Sequence, residues 1–381
     1  MLNKACWAGI GAVVLGVVGG LAVGCSGASP ASPRSEARRV MEDSETRLGP
    51  RSQEVLAKWF EDLPSPLPAP LGYVDGSSTI VVLPDTQVYS DKYPDIFAQQ
   101  TRWIADNREA TDTRFVLHVG DVTEYSSVRE WEAAAAAMGN LTGLVPFSIA
   151  PGNHDYGING RADSRHSLFS TYFPVSQYQK MGTFGGTYER KVSDNSCHLF
   201  SAGGHNWIAV MLEWGPRRDV LAWANNVLRA HSNRMAIVVT HAYMFHDDTR
   251  YNRELYEQAW NPYDYPTADL PGGVSDGEDL WRNVISLHGN VAMVLSGHIL
   301  GSGVGYLAST GAEGNTVHQM ASNFQMLPQG GQGYLRLLEI LPDGETVQVK
   351  TYSPVYDDYR TDPKNQFVIK LNVKLTRPGV A

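Results

Sequence analysis

The chain has 381 residues, of which 43% are hydrophobic and 9 are tryptophan, and its formal net charge at pH 7 is −9. This length and composition indicate a globular protein with one large α/β domain or two smaller ones. The negative charge opposes binding to nucleic-acid backbones and to anionic membrane surfaces, so we expect no nucleic-acid partner.

The first 24 residues have the features of a secretory signal peptide. Lys4 precedes an apolar, glycine-rich run that ends in "LAVGC" at Cys25, and a basic start, an apolar stretch and small residues before the break are typical of such signals. The stretch "AVGC" resembles a bacterial lipobox, although Ala22 stands where that motif usually has leucine. The resemblance implies an exported bacterial lipoprotein, anchored through lipidated Cys25 to the outer face or the periplasmic side of a cell-envelope membrane. Cleavage after "SGA" and an uncleaved anchor are the alternatives.

Residues 25–72 are expected to form a tether between the lipid and the folded domain. They begin with a small, polar and charged stretch, a composition that does not support a packed core. "SQEVLAKWFEDL" then predicts a short amphipathic helix, and "PSPLPAP" predicts a proline-rich extended linker. Beyond Cys6 and Cys25 the chain has only Cys197, so we expect no internal disulfide and a buried, inert thiol.

Residues 73–330 alternate between apolar runs and helical patterns, which indicates a layered α/β domain. Runs such as "TIVVL" and "MAIVV" are typical of strands buried on both faces. Patterns such as "RRDVLAWANNVLRAHS" place their apolar residues on one helical face. In residues 331–381, "GYLRLLEI", "ETVQVKTYSP" and "NQFVIKLNV" predict antiparallel strands packed on this domain, with "PDG" as a hairpin turn.

Oxygen-bearing and imidazole side chains follow the ends of several predicted strands. They are Asp85, Asp121, Asn153, His154, Asp155, His241 and His298. Sites in open α/β sheets form beyond the carboxyl ends of strands, so these side chains can converge although they are far apart in the chain. Carboxylate oxygen and neutral imidazole are ligands of Zn²⁺, Mn²⁺ and Fe, so the pattern predicts a metal site.

The motifs at these strand ends resemble those of the calcineurin-like metallophosphoesterase superfamily. That family has D-x-H, G-D, G-N-H-D/E, H and G-H-x-H, and this chain has "DTQ", "GDVTE", "GNHD", "THAY" and "GHIL" in the same order. The resemblance implies a four-layer α/β fold, a β-sandwich flanked by helices, with two divalent metal ions at the strand ends. It also implies a phosphoric ester hydrolase.

Carried over by position, the resemblance makes Asp121 the ligand that bridges the two ions. Asn153, His241 and His298 complete the second site, and all three are present in this chain. A site with two imidazoles suits Mn, Fe or Zn.

The first site departs from the family pattern. Asp85 is present, but Gln87 and Leu300 stand where the family has histidines. The two carboxylates of Asp85 and Asp121 and the Gln87 amide form an all-oxygen set, which favours Mn²⁺ or Mg²⁺. We expect this site to be weakened but not abolished.

The implied reaction is in-line attack of a metal-bound hydroxide at phosphorus. His154 is the expected general acid, and Glu124 is expected to orient it, with Asp155 as the alternative partner. Arg250 and Tyr243 lie in loops that could face the cleft, where they would bind substrate.

The leading hypothesis is a phosphomonoesterase or phosphodiesterase that acts on a small-molecule or lipid phosphoester. The alternative is a lipoprotein that keeps the fold and binds metal, at one site or without turnover. His154 and Glu124 favour the enzyme, whereas Gln87 and Leu300 favour the binding protein. The sequence indicates neither monoester nor diester specificity, nor an oligomeric state, and membrane contact is expected through the lipid alone.

Overall fold

The computed structural model describes residues 64, 66–255 and 258–376. The expected signal peptide, the lipidated cysteine and the short helix that follows lie outside these described residues. The strands are β1 (Ser78–Leu83), β2 (Thr113–His118), β3 (Phe147–Ile149), β4 (Phe184–Thr187), β5 (Ser196–Ala202), β6 (His205–Met211), β7 (Met235–Val239), β8 (Val291–Ser296), β9 (Val304–Thr310), β10 (Thr316–Ser322), β11 (Leu335–Ile340), β12 (Thr346–Ser353), β13 (Asp358–Arg360) and β14 (Phe367–Lys370). The helices are α1 (Gln87–Lys92), α2 (Pro94–Asn107), α3 (Val128–Gly139), α4 (Phe169–Tyr172), α5 (Val175–Lys180), α6 (Arg218–Ala230), α7 (Gly277–Asn283) and the helical turn α8 (Pro328–Gly331).

The strands form two seven-stranded mixed sheets. The first has the order β13-β12-β11-β1-β2-β3, with β14 also paired to β12, and the second has the order β4-β5-β6-β7-β8-β10-β9. β1, β2 and β3 run parallel, as do β6, β7, β8 and β10. The carboxyl ends of each parallel set therefore lie at one edge of its sheet.

Three apolar layers hold the sheets and helices together. The middle layer packs one sheet on the other and includes Val82 and Leu117 from the first sheet with Ile237 and Leu295 from the second. A second layer joins α2 and α3 to the outer face of the first sheet. A third joins α6 and α7 to the outer face of the second sheet. This is the expected four-layer α/β sandwich, and the fold class is confirmed.

Two of the predicted helices, α3 and α7, begin at a residue whose side chain caps the helix. In α3, the Ser127 hydroxyl accepts from the Glu130 backbone N–H, and the Glu130 carboxylate accepts from the Ser127 backbone N–H. Such a reciprocal cap satisfies two backbone donors that the helix itself leaves unpaired. Asp276 caps α7 in the same way.

The C-terminal strands are part of the first sheet. β11 pairs antiparallel with β1, and β12 pairs antiparallel with β11 through the predicted "PDG" turn. Residues at and just after the end of the proline-rich linker contact this segment: Gln366 donates to the Ala69 carbonyl, the Leu71 N–H donates to Gln366 and the Val74 N–H donates to Glu339. Cys197 lies buried in β5 as a free thiol. Within the part of the chain that the structure describes, no helix has the length and apolarity needed to cross a bilayer.

Candidate metal centre

The predicted ligands follow strands of both sheets. Asp85, Asp121 and Asn153 come shortly after β1, β2 and β3, while His241 and His298 come shortly after β7 and β8. All five are at most 7% exposed. The site therefore lies at the carboxyl ends of the strands, where the sequence pattern places it.

The glycines of the motifs allow the chain to approach the ligands closely. A Cβ atom on Gly297 would lie 2.0 Å from Asp85 Oδ1, and one on Gly152 would lie 2.1 Å from Asp121 Oδ1. Any side chain at either position would therefore displace a carboxylate. Asp121 and His298 themselves have positive φ angles of 49° and 69°, a strained backbone conformation that is found most often at functional sites.

Three side chains form the centre of the site. One ligand atom from each of Asp121, His241 and His298 lies within 4.8 Å of the others. Asp121 Oδ2 lies 3.0 Å from His241 Nε2, and Asp85 Oδ2 lies 4.0 Å from the same nitrogen. The four side chains thus bring two carboxylates and two imidazoles to one buried point.

Backbone carbonyls fix the orientation of both imidazoles. His241 Nδ1 lies 2.8 Å from the Val119 carbonyl, and His298 Nε2 lies 2.8 Å from the Trp260 carbonyl. Because each of these nitrogens donates its hydrogen, His241 Nε2 and His298 Nδ1 are left as acceptors for a cation. A hydrogen bond from the second ring nitrogen to a carbonyl is usual for histidines that bind metals.

The charges of the site are balanced for a cation. Burial raises the pKa of Asp85 to about 8, with Asp121 adding to the shift and His241 opposing it. Burial would lower the pKa of His241, but Asp121 and Asp85 raise it to about 9. The buried carboxylates thus draw positive charge toward His241, and a bound divalent ion would supply that charge instead. Burial lowers the pKa of His298 to about 3, so its imidazole is in the neutral form that binds metals.

Two amide oxygens beside the cluster have no hydrogen-bond partner in the part of the chain that the structure describes. Asn153 Oδ1 and Gln87 Oε1 are both buried without a hydrogen bond. An unpaired buried oxygen costs about 1–3 kcal/mol, and coordination of a cation would remove that cost. The donor set therefore fits divalent metal ions, including at Gln87, whereas Leu300 is half-buried and offers no donor atom.

His154 is joined to the same centre. Its backbone N–H donates to Asp121 Oδ1 at 2.9 Å, and its Nδ1 lies 2.7 Å from the main-chain carbonyl of Glu124. Burial would lower the pKa of His154, but Asp121 and the Glu124 carbonyl raise it overall. Glu124 was expected to orient His154 through its carboxylate. The contact comes instead from its main-chain carbonyl. The Glu124 carboxylate accepts a hydrogen bond from Gln87.

The Asp155 carboxylate holds the loops together and is bonded to backbone N–H groups and a hydroxyl, not to the His154 imidazole. It accepts hydrogen bonds from the backbone N–H groups of Val122, Thr123 and Gly152 and from the Thr123 hydroxyl. These bonds tie the loop after β2 to the loop after β3. Asp121 and His154 depend on this connection for their relative position.

The two predicted substrate-binding residues both form hydrogen bonds with Gln319. Tyr243 is fully buried and its hydroxyl donates to Gln319 Oε1 at 2.9 Å. Arg250 donates through Nε to Glu278 at 2.7 Å and through Nη1 to Ser309 and Gln319. The Tyr243 hydroxyl and the Nε and Nη1 atoms of Arg250 are therefore engaged within the protein, and substrate contact by either residue stays a prediction.

Sequence reasoning missed three aromatic residues at the site. The Trp214 ring lies 5.0 Å from the His298 ring and 5.8 Å from the His241 ring. Trp260 supplies the carbonyl that holds His298, and the Tyr265 ring lies 4.9 Å from Trp214. For Trp260 and Tyr265 the aromatic-rich stretch "WNPYDY" was the available signal, but nothing in its spacing connects it to the histidines.

Comparison with known proteins identifies a matching family. The family described as calcineurin-like phosphoesterase matches residues 78–302, which is more than half of the chain. The uncharacterized protein YvnB of Bacillus subtilis (strain 168) is 33% identical over 314 residues, which cover 78% of this chain and 22% of that protein. The chain thus spans about a fifth of the length of this curated relative.

Three solved structures are similar at low identity. The purple acid phosphatase PPD1 from yellow lupin (Lupinus luteus) seeds has a TM-score of 0.47 and 13% identity, and the match covers 79% of this chain and 55% of that chain. GAP50, the anchor in the inner membrane complex of Plasmodium, has a TM-score of 0.41 and 11% identity, covering 78% and 89%. The NAD nucleotidase NadN of Haemophilus influenzae has a TM-score of 0.37 and 10% identity, covering 79% and 52%.

Proposed function

Because the chain belongs to the calcineurin-like phosphoesterase family, we propose that it hydrolyses a phosphomonoester or phosphodiester at a site that holds two divalent ions. The observation that carries the proposal is the convergence of Asp121, His241 and His298, with His154 hydrogen-bonded to the same aspartate. A binding protein has no need for a correctly oriented imidazole beside its metal ligands.

The residues divide into two metal-binding groups. Asp121, Asn153, His241 and His298 would hold one ion, and Asp85, Asp121 and Gln87 would hold the other. When bound, such ions polarise a phosphoryl oxygen and lower the pKa of a water molecule. The second group has only oxygen donors, so we expect Mn²⁺ or Mg²⁺ there, whereas the imidazole group suits Mn, Fe or Zn.

His154 performs the proton transfer in this proposal. Its Nδ1 hydrogen is held by the Glu124 carbonyl, which leaves Nε2 to carry the proton that the leaving oxygen receives. The raised pKa of His154 supports this role, because an acid works best when its pKa is near the working pH. Asp155 keeps the imidazole aligned through the loops it connects.

The test is metal-dependent hydrolysis of p-nitrophenyl phosphate and bis-p-nitrophenyl phosphate by the purified protein with Mn²⁺, Mg²⁺ or Zn²⁺. His241→Asn should abolish turnover. His288→Asn is the matched control, because His288 lies outside the site and bonds to Asn225. Hydrolysis that does not depend on a metal, or that His241→Asn leaves intact, contradicts the proposal.

Gln87 and Leu300 favour a second candidate, a metal-binding protein without turnover. This candidate predicts that folded protein takes up a divalent ion, seen by calorimetry, yet hydrolyses neither ester with any metal. The two readouts together separate it from the enzyme.

We also propose that the protein is an exported lipoprotein whose substrate is a small-molecule or lipid phosphoester. The lipobox-like "AVGC" and the net charge of −9 support an anchored protein without nucleic-acid partners. Cys25→Ser should release the protein from the membrane fraction of expressing bacteria, and retention there would contradict lipid anchoring.

A further inference from the structure

Residues 260–267 form a wall over the histidine side of the metal centre. Its Trp260 carbonyl contacts the His298 ring directly. Asn261 and Asp264 cap the turn reciprocally. Asn261 is also tied to Asp276, and Thr267 accepts a hydrogen bond from the Trp214 indole. A side chain on this wall is therefore held in place before any ligand binds.

Tyr265 is the residue of this wall whose ring lies beside both His298 and Trp214. Its ring is 6.3 Å from the His298 ring and 4.9 Å from the Trp214 ring. A phenol is neutral at pH 7, because its ordinary pKa is about 10. The phenol is thus positioned beside the metal ligands as a neutral hydrogen-bond donor.

The Tyr265 hydroxyl differs from those of the neighbouring tyrosines in being unused. Tyr243, Tyr251 and Tyr263 donate to Gln319, Ala259 and Asp279 respectively. Among the residues that the structure describes, none forms a hydrogen bond with the Tyr265 hydroxyl, and the residue is only half-buried. A hydroxyl donor that has no partner among the described residues is suited to a ligand that bears acceptor oxygens.

We propose that Tyr265 is a substrate-binding residue whose hydroxyl donates a hydrogen bond to an oxygen of the phosphoryl group held at the Asp121, His241 and His298 cluster. This inference rests on the proposed function and adds to it a specific contact from outside the metal ligands. Hydrogen bonds to charged oxygens are stronger than neutral ones. The contact therefore raises the affinity for phosphate and stabilises charge that develops on the phosphoryl oxygens during reaction.

The variant Tyr265→Phe tests this directly, because it keeps the ring packing on Trp214 and removes only the hydroxyl. We expect kcat/KM for p-nitrophenyl phosphate to fall about 10- to 100-fold, as for loss of one hydrogen bond to a charged group. Inhibition by inorganic phosphate should weaken by a similar factor, while Mn²⁺ affinity and thermal stability stay unchanged. The matched control is Tyr263→Phe, which removes a hydroxyl from the same segment that is bonded to Asp279.

Equal kinetics and phosphate affinity in Tyr265→Phe and the wild type would overturn the inference, and so would an equal loss in Tyr263→Phe. If the wild-type protein hydrolyses neither ester, the proposed function fails by itself. Calorimetric titration of the Mn²⁺-loaded proteins with inorganic phosphate then decides the role of Tyr265. Weaker binding by Tyr265→Phe than by the wild type supports the contact, and equal or absent binding refutes it.

Discussion

Removal of the Asp155 carboxylate should destabilise the protein because its hydrogen-bonding partners are buried. In Asp155→Ala, the backbone N–H groups of Val122, Thr123 and Gly152 lose their acceptor. Each buried, unpaired donor costs about 1–3 kcal/mol, so the three together cost about 3–9 kcal/mol before the loops relax or admit water, which lowers the cost. Relief of the repulsion between Asp155 and Asp121, which helps to raise the pKa of Asp155, offsets part of this. We expect a net loss of about 2–4 kcal/mol in the free energy of unfolding at pH 7.

The assay is urea denaturation with a chelator present, so that metal binding does not contribute. Asp343→Ala is the matched control, because Asp343 accepts from the Glu345 and Thr346 N–H groups and the Thr346 hydroxyl in an exposed hairpin. Water replaces the carboxylate there, so the loss should be much smaller. Equal losses in the two variants would refute the reasoning that burial sets the cost. Asp155→Ala should also weaken Mn²⁺ binding, because Asp121 and His154 lose their alignment.

Three further substitutions test other parts of the site and the core. Gln87→His restores an imidazole at the oxygen-only group, so the Mn²⁺ concentration for half-maximal activity should fall about 10-fold; unchanged metal dependence would count against Gln87 as a ligand. His154→Ala should keep its metal content and lose about 10²–10⁴-fold in turnover of esters with poor leaving groups, and a loss below about 10-fold would exclude general acid catalysis. His246 is 1% exposed, and neither of its ring nitrogens has a hydrogen-bond partner among the described residues. His246→Phe removes these buried, unpaired polar atoms and should therefore raise the free energy of unfolding by about 1–3 kcal/mol. Burial lowers the pKa of His246 to about 4. The wild type should therefore lose stability as the pH falls from about 6.5 toward 4, since the unfolded chain binds the proton more readily. Urea melts across this range should show a weaker pH dependence in His246→Phe, and identical curves would contradict this account.

The sequence predicts the buried strands and their ligands well because both leave local signals. The valine-rich runs of β1, β7 and β8 are buried along their whole lengths, and the ligand comes two residues after each strand end, as Asp85, His241 and His298 respectively. The stretch "GSGVGY" at the start of β9 contains turn residues and the strand is only partly buried, so the local pattern does not indicate a strand there. The pairing of β9 with β10 is a tertiary contact that local pattern does not encode.

The rest of the site depends on contacts that residue type alone does not reveal. His154 and His298 are both oriented by main-chain carbonyls, and any residue type supplies a carbonyl. Arg250 and Tyr243 have the chemistry of phosphate ligands, yet their loop turns them toward Gln319 in the sheet. Loop direction is set by packing between distant segments, so spacing in the sequence does not predict it.

Asp121 follows a strand of the first sheet, whereas His241 and His298 follow strands of the second. The distance between their donor atoms therefore depends on the spacing between the two sheets. That separation is determined by side chains such as Leu117, Ile237 and Leu295, none of which is a ligand. Slightly larger or smaller residues at these positions would widen or narrow the coordination sphere and so adjust which ion radius it prefers. Substitutions of the same size between a sheet and its outer helices would not change the preferred ion radius.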